Sequence, residues 1–180
     1  MLQITIPSVE LWDEKKQEFV YKKQQTIQLE HSLVSLSKWE SKWHKSFLSK
    51  NEKTREESLD YIRCMTVTQN IDPEVYQYLT NDNIEQVYNY IEAPMTATVF
   101  SDSKSGKNSR EVVTSELIYF WMIALNIPFE CRKWHLNRLL TLIRVCELKN
   151  QPPKKMSKRE LMSRNAALNA SRRKRLNTKG

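Results

Sequence analysis

Residues 114–149 read TSELIYFWMIALNIPFECRKWHLNRLLTLIRVCELK, the densest apolar stretch of the chain. From Leu117 to Leu125 almost every side chain is apolar. From Trp134 to Leu148 the pattern is that of an amphipathic helix, Leu136, Leu139, Leu140, Ile143 and Val145 alternating with the basic residues Arg132, Lys133, Arg138 and Arg144. Asn126-Ile127-Pro128 lies between the two runs, and proline can neither continue the first helix nor leave Ile127 free to adopt helical ψ. The stretch predicts two helices joined as a hairpin or corner. Thr114 or Ser115 caps the first, with Glu116 in its first turn. A helix apolar nearly all round is expected to be buried on several sides, with the rest of the chain wrapped about it.

Upstream, strand signals come first. Leu2-Gln3-Ile4-Thr5-Ile6 and Thr26-Ile27-Gln28-Leu29-Glu30 alternate apolar and polar side chains, as half-buried strands do. Val9–Trp12 and Glu18–Tyr21 flank the polar turn Asp13–Gln17, so a small antiparallel sheet with meander connections is predicted. Helix starts follow. Ser37-Lys38-Trp39-Glu40, Thr54-Arg55-Glu56-Glu57 and Ser157-Lys158-Arg159-Glu160 fit the capping-box pattern, and Asp72-Pro73 pairs a cap with a proline at the first helical position. Helices are predicted from Ser37, over about 55–67, briefly after Pro73, over Asn81–Glu92, and over 158–175. Thr96–Phe100 reads as a short strand or an extended link, Ser101–Ser109 as a polar exposed loop, and Pro152-Pro153 as the close of the body. The fold class expected is α+β: a small N-terminal antiparallel sheet on a mostly helical body, with a basic C-terminal helix. Residues 1–153 form the body, strand-rich over 1–30 and mainly helical over 38–149; residues 154–180 form the tail.

Charge divides the chain at the same place. Residues 154–180 hold ten Lys/Arg and one acid, a net +9, while the remainder holds nineteen bases against twenty acids. The overall +8 therefore belongs to the tail. Lys158, Arg159, Arg164 and the run Arg172-Arg173-Lys174-Arg175 make it a candidate partner-binding arm. An acidic protein surface, nucleic acid with steep salt dependence, or plain solvation of a helix end all suit it. A second candidate is the row Trp39, Trp43, Phe47 at four-residue spacing. Such a row favours a packing seam in a core or an interface, and in an interface it supplies apolar grip.

Chemistry is sparse. With only two glycines, Gly106 and Gly180, the chain has no Gly-rich phosphate loop and no nucleophile elbow, so no nucleotide cofactor is expected. The three cysteines, Cys64, Cys131 and Cys146, lie in helical patterns and read as reduced buried thiols of a cytoplasmic protein. The four-residue spacing of Cys131 and His135 allows a shared helix face, and with Cys146 gives at most three soft ligands, but no CxxC or HxxxH pair completes a metal site. His31 and His44 stand alone. No basic n-region opens the chain and no apolar run is long enough for a bilayer, so neither secretion nor membrane insertion is expected. No catalytic constellation emerges, and a non-enzymatic role is expected.

Several long stretches carry a resemblance: LEHSLVSLSKWESKWHKSFL (29–48), APMTATVF (93–100), SELIYFWMIALNIPFECRKWHLNRLLTLIRVC (115–146), PPKKMSKRE (152–160) and RLNTKG (175–180). Together they resemble the tail assembly chaperones of tailed bacteriophages over most of the chain. That resemblance implies a protein of the host cytoplasm that binds the long helical tape measure protein, or other tail proteins, while the tail is built. A structural virion component of the tail or head-tail, and a nucleic-acid binder using the basic tail, are the alternatives; a homo-oligomer is a further association that suits the first reading. It implies no catalytic residue and no cofactor.

Overall fold

The computed structural model describes residues 1–14, 17–100, 112–151 and 157–178. Four strands come first: Leu2–Ile6 (β1), Val9–Asp13 (β2), Glu18–Lys22 (β3) and Gln25–Leu29 (β4). β1 pairs antiparallel with β4, Ile4 opposite Ile27, and β2 pairs with β3, Trp12 opposite Phe19. The register of the second pair continues that of the first, since Ile6 stands opposite Gln25 and Val9 opposite Lys22. The chain therefore runs out and back as one interrupted ribbon, not as the expected meander. Pro7, which has no N–H to give a ladder, lies in the interruption. Residues 15 and 16 of the expected turn fall outside the described residues.

Alternation sorts the two faces of β1 and β4. Ile4, Ile6, Ile27 and Leu29 are buried, while the Thr5 and Thr26 hydroxyls meet at 3.3 Å on the exposed face. Residues 65–67 extend the pairing of β4: the Glu30 N–H donates to the Met65 carbonyl and the Val67 N–H to that of Gln28.

The helices are Leu33–Trp43 (α1), Arg55–Met65 (α2), Asn81–Glu92 (α3), Ser115–Ala124 (α4), Leu136–Asn150 (α5) and Lys158–Leu176 (α6), with 3-10 turns at Pro73–Tyr78 and Phe129–Lys133. Thr54, Asp72, Thr114 and Ser157 cap as the sequence predicts. The first helix begins earlier than predicted: Ser32, not Ser37, is its cap, with Ser35 completing the box. No strand forms over 96–100, which is an irregular link with a bend at Ala97. The loop Ser101–Ser109 and Pro152-Pro153 lie outside the described residues.

The core draws on the 114–149 stretch through Ile118, Met122, Leu136, Leu139 and Ile143, but it is shared with β1, β4, α1, α2 and α3 and not centred on α4. α1, with Leu33, Leu36 and Trp39 buried, packs against α2, α4 and the 129–133 turn, while α3 packs on β1. α4 buries Ile118 and Met122 but exposes Phe120 (61%) and Ile123 (69%). Its apolar composition thus reflects one buried face and one exposed apolar face, not burial all round. Asn126 ends α4 in the left-handed region (φ 52°), and the Ile127 N–H donates back to the Met122 carbonyl at 2.9 Å, a Schellman closure ahead of Pro128. The chain divides into two compact units, Met1–Glu147 and Leu148–Gly180.

Candidate functional site

Trp39, Trp43 and Phe47 do gather, but as part of the interior. α1 stops at Trp43 because His44 turns left-handed (φ 53°), so Phe47 arrives from the following loop. Its ring stands edge-on to Trp39 at 5.1 Å and stacks on Tyr61 at 3.7 Å, while Trp39 and Trp43 stack at 6.1 Å. Trp39 is 1% exposed, and its indole N–H donates to the Glu57 carbonyl at 2.9 Å. As a grip for a partner Trp39 is out of reach: a buried indole with its one donor satisfied holds the core together. Trp43 and Phe47 are half-buried.

Three buried carboxylates surround this cluster, each occupied in joining segments. Glu40 accepts from the Phe47 N–H at 2.9 Å and from the Ser115 N–H at 2.7 Å, tying the end of α1 to the start of α4. Glu57 accepts from the Lys45 ammonium at 2.6 Å and from the Thr54 N–H at 2.8 Å. The hydrogen bond from Lys45, and then that from the Thr54 backbone, hold its carboxyl below the usual carboxylate range. Asp60 receives the Trp43 indole N–H at 2.9 Å and the Lys42 ammonium.

Histidine placement differs from the expectation that His31 stands alone. The rings of His31 and His135 meet edge-on at 5.1 Å inside the body. His31 Nδ1 lies 2.6 Å from the Tyr61 hydroxyl, and His135 Nε2 lies 2.9 Å from the Tyr90 carbonyl, to which it donates as a neutral ring. Its Nδ1 then accepts from the Asn137 N–H at 3.3 Å. Burial, and secondarily the neighbouring His135, lower the His31 pKa to about 3; burial also lowers that of His135. Nothing local in the sequence signals this pair, because its members are far apart and join only when α5 docks its first turn on the His31 carbonyl. Burial pushes the Cys64 and Cys131 thiols up, and all three cysteines are free. No group of three or more His, Cys, Asp or Glu among the described residues is placed to hold a metal ion.

The basic arm is a regular helix. Ser157 caps α6 by accepting from the Glu160 N–H at 3.2 Å, while Glu160 reaches back to the Ser157 N–H at 2.9 Å. Asn177 closes the other end in the left-handed region (φ 50°). Lys158, Arg159, Arg164, Arg172, Arg173, Lys174 and Arg175 are all exposed, and α6 has no buried residue. Leu161 and Leu168, two turns apart, fall on one line with Arg164, Arg172 and Arg175 beside it at helical spacing. The apolar seam is thus narrow and rimmed by guanidinium groups.

Three further surfaces were not anticipated. Trp12 and Phe19 meet edge-on at 4.9 Å across β2 and β3, and both, with Tyr21, are exposed. Phe120 and Ile123 form the open face of α4, with exposed Phe129 in the turn that follows. Between α2 and α3 lies a cleft of about 280 Å³, lined chiefly by apolar side chains. No helix among the described residues is long and apolar enough to cross a membrane. Comparison of the chain with known protein families, curated proteins and solved structures finds no match.

Proposed function

We propose that the chain is a non-catalytic tail assembly chaperone of a tailed bacteriophage. It works in the host cytoplasm and binds the tape measure protein or other tail proteins while the tail is assembled. One observation carries this reading beyond the sequence resemblance: α6 is helical yet buries nothing, leaving Leu161, Met162, Leu168 and Leu176 exposed among its cations. A helix without packing is marginal in water. It gains most from a partner that covers its seam and meets its charge. Ordering such a helix on binding costs free energy, which favours the reversible grip that an assembly factor needs.

Co-expression with the neighbouring tail genes, followed by pull-down, tests the reading. Replacing Arg172, Arg173, Lys174 and Arg175 with Ala lowers capture of the tail protein by about tenfold or more, a loss of roughly 1.4 kcal/mol, and leaves the melting temperature of the body unchanged. Unchanged capture rejects the arm. A chaperone is scarce in purified virions by mass spectrometry, whereas a structural tail component is abundant there. The four consecutive cations also favour nucleic acid as a second reading. Titration at two salt concentrations, with and without residues 154–180, separates it, since phosphate binding is tail-dependent and weakens steeply with salt.

A further inference from the structure

The cleft between α2 and α3 has a floor of Tyr61 and Val87, both almost fully buried, and walls that include Ile84 and the exposed ring of Tyr88. It opens between two helices whose main packing partners lie elsewhere: α2 rests on α1 and the 73–78 turn, α3 on β1. At about 280 Å³ it is at the small end for a cofactor pocket, and its length along two helices suits a row of apolar side chains instead. Its charge is one-sided. The two charged residues that line it, Lys53 and Arg55, are both cationic, and neither has a carboxylate partner among the described residues. The Lys53 ammonium lies over the Phe47 ring at 4.7 Å, at the edge of the apolar lining.

We infer that this groove is a docking site for an acidic amphipathic helix of a partner protein. Apolar anchors of that helix cover Tyr61, Ile84, Val87 and Tyr88, and a flanking carboxylate pairs with Lys53 and Arg55. The charge of the rim argues against the chain's own α6 in a second copy as the occupant, because that helix brings Arg or Lys beside each of its Leu and Met side chains. The inference rests on the reading of the chain as a binder of helical tail proteins and names a second contact for it, separate from the cationic arm.

The test uses the full chain and a fluorescent helical peptide with leucines at i, i+3, i+4 and i+7 and glutamates on the flanking positions. A lysine-flanked version and dodecanoate serve as comparators. Binding is followed by anisotropy in the unmodified chain and in the chain with Arg172, Arg173, Lys174 and Arg175 replaced by Ala, so that attraction to the arm is removed. The acidic peptide binds both. Lys53→Glu with Arg55→Glu weakens it by about tenfold or more and raises the affinity of the lysine peptide. Tyr88→Ala, which trims an exposed wall, weakens the acidic peptide by about threefold or more. Thermal melting verifies that each variant folds; a glutamate at position 55 suits the first turn of α2.

Equal binding of the two peptides, no binding to the arm-less chain, or insensitivity to the charge reversal overturns the inference, as does displacement of the peptide by dodecanoate at lower concentration than the peptide itself requires. The two proposals fail differently. If the tail protein is captured equally by the Lys53→Glu, Arg55→Glu chain, the groove is wrong and the chaperone reading stands. If the peptides behave as expected but no tail protein is captured, the chaperone reading is wrong and the groove stands.

Discussion

α2 and α6 begin in the same way. Each has a hydroxyl cap and a glutamate three residues on, closing a reciprocal box at Thr54–Glu57 and at Ser157–Glu160. From there they diverge. α2 buries Tyr61, Ile62 and Met65; its Glu57 and Asp60 carboxylates pair with Lys45 and Lys42, its Glu57 carbonyl accepts from the Trp39 indole, and its Asp60 carboxylate accepts from that of Trp43. α6 buries nothing. The comparison separates what a cap does from what packing does: the box fixes where a helix starts, for about 1 kcal/mol, whereas several buried side chains fix whether it persists and against what. A body helix is held by its own chain, whereas α6 has no buried residue to hold it.

The largest expected effect comes from cutting the packing on the α2 side. Trp39→Ala removes the indole bonded to the Glu57 carbonyl and the face against Phe47 and Tyr61. It lowers stability by about 3–5 kcal/mol, read as a shift in the denaturant midpoint of the body's aromatic signal. A loss below about 1 kcal/mol contradicts the description of this cluster as core.

Acid exposes the same contrast. The folded pKa of His31 lies near 3, well below the ordinary value of 6.5, and that of His135 is also lowered. The unfolded chain therefore binds protons that the folded chain refuses. Stability from these rings is fully present above about pH 6.5 and is lost as the pH falls below that, for His31 down to about 3. The slope approaches about 1.4 kcal/mol per pH unit for each ring that stays neutral. Chemical denaturation between pH 7 and pH 5, a window above most carboxylate titration, measures it. His31→Gln flattens the slope, whereas a slope unchanged by that substitution assigns it to other groups. The α6 helix contains no histidine, so its helicity does not follow this titration.

The smallest effect is on the other side. Ser157→Ala removes the acceptor for the Glu160 N–H and the hydroxyl bonded to its carboxylate. It costs about 1 kcal/mol of helix stability in α6 alone, seen as lost helical circular dichroism and faster amide exchange in residues 158–162, with no movement of the body's melting temperature. A matching drop in body melting contradicts the separation of the two helices' roles.

Much of this was legible in the chain. The caps at Thr54, Asp72 and Ser157 were readable because their donors and acceptors lie within four residues of one another. The Ser37 box misled for an instructive reason: Ser-x-x-Glu also occurs inside a helix, and there Glu40 is free to serve distant backbone N–H groups at Phe47 and Ser115. Strand positions followed from alternation, but alternation is blind to partners, so the ribbon with β1 against β4 could not be told from a meander. The seam Trp39, Trp43, Phe47 was visible as a cluster, yet its burial depended on Tyr61 arriving from α2.

Sequence alone settled the kinds of element, most of their starts, and the confinement of the net positive charge to residues 154–180. These are local matters, settled by φ preferences, capping and side-chain period within a few turns. Packing of distant segments set which apolar faces are covered, left Phe120 and Ile123 open, brought His31 to His135, and left a cation-rimmed groove between α2 and α3. The physical reason is that burial belongs to no residue alone: it depends on which neighbours from remote parts of the chain come close enough to exclude water.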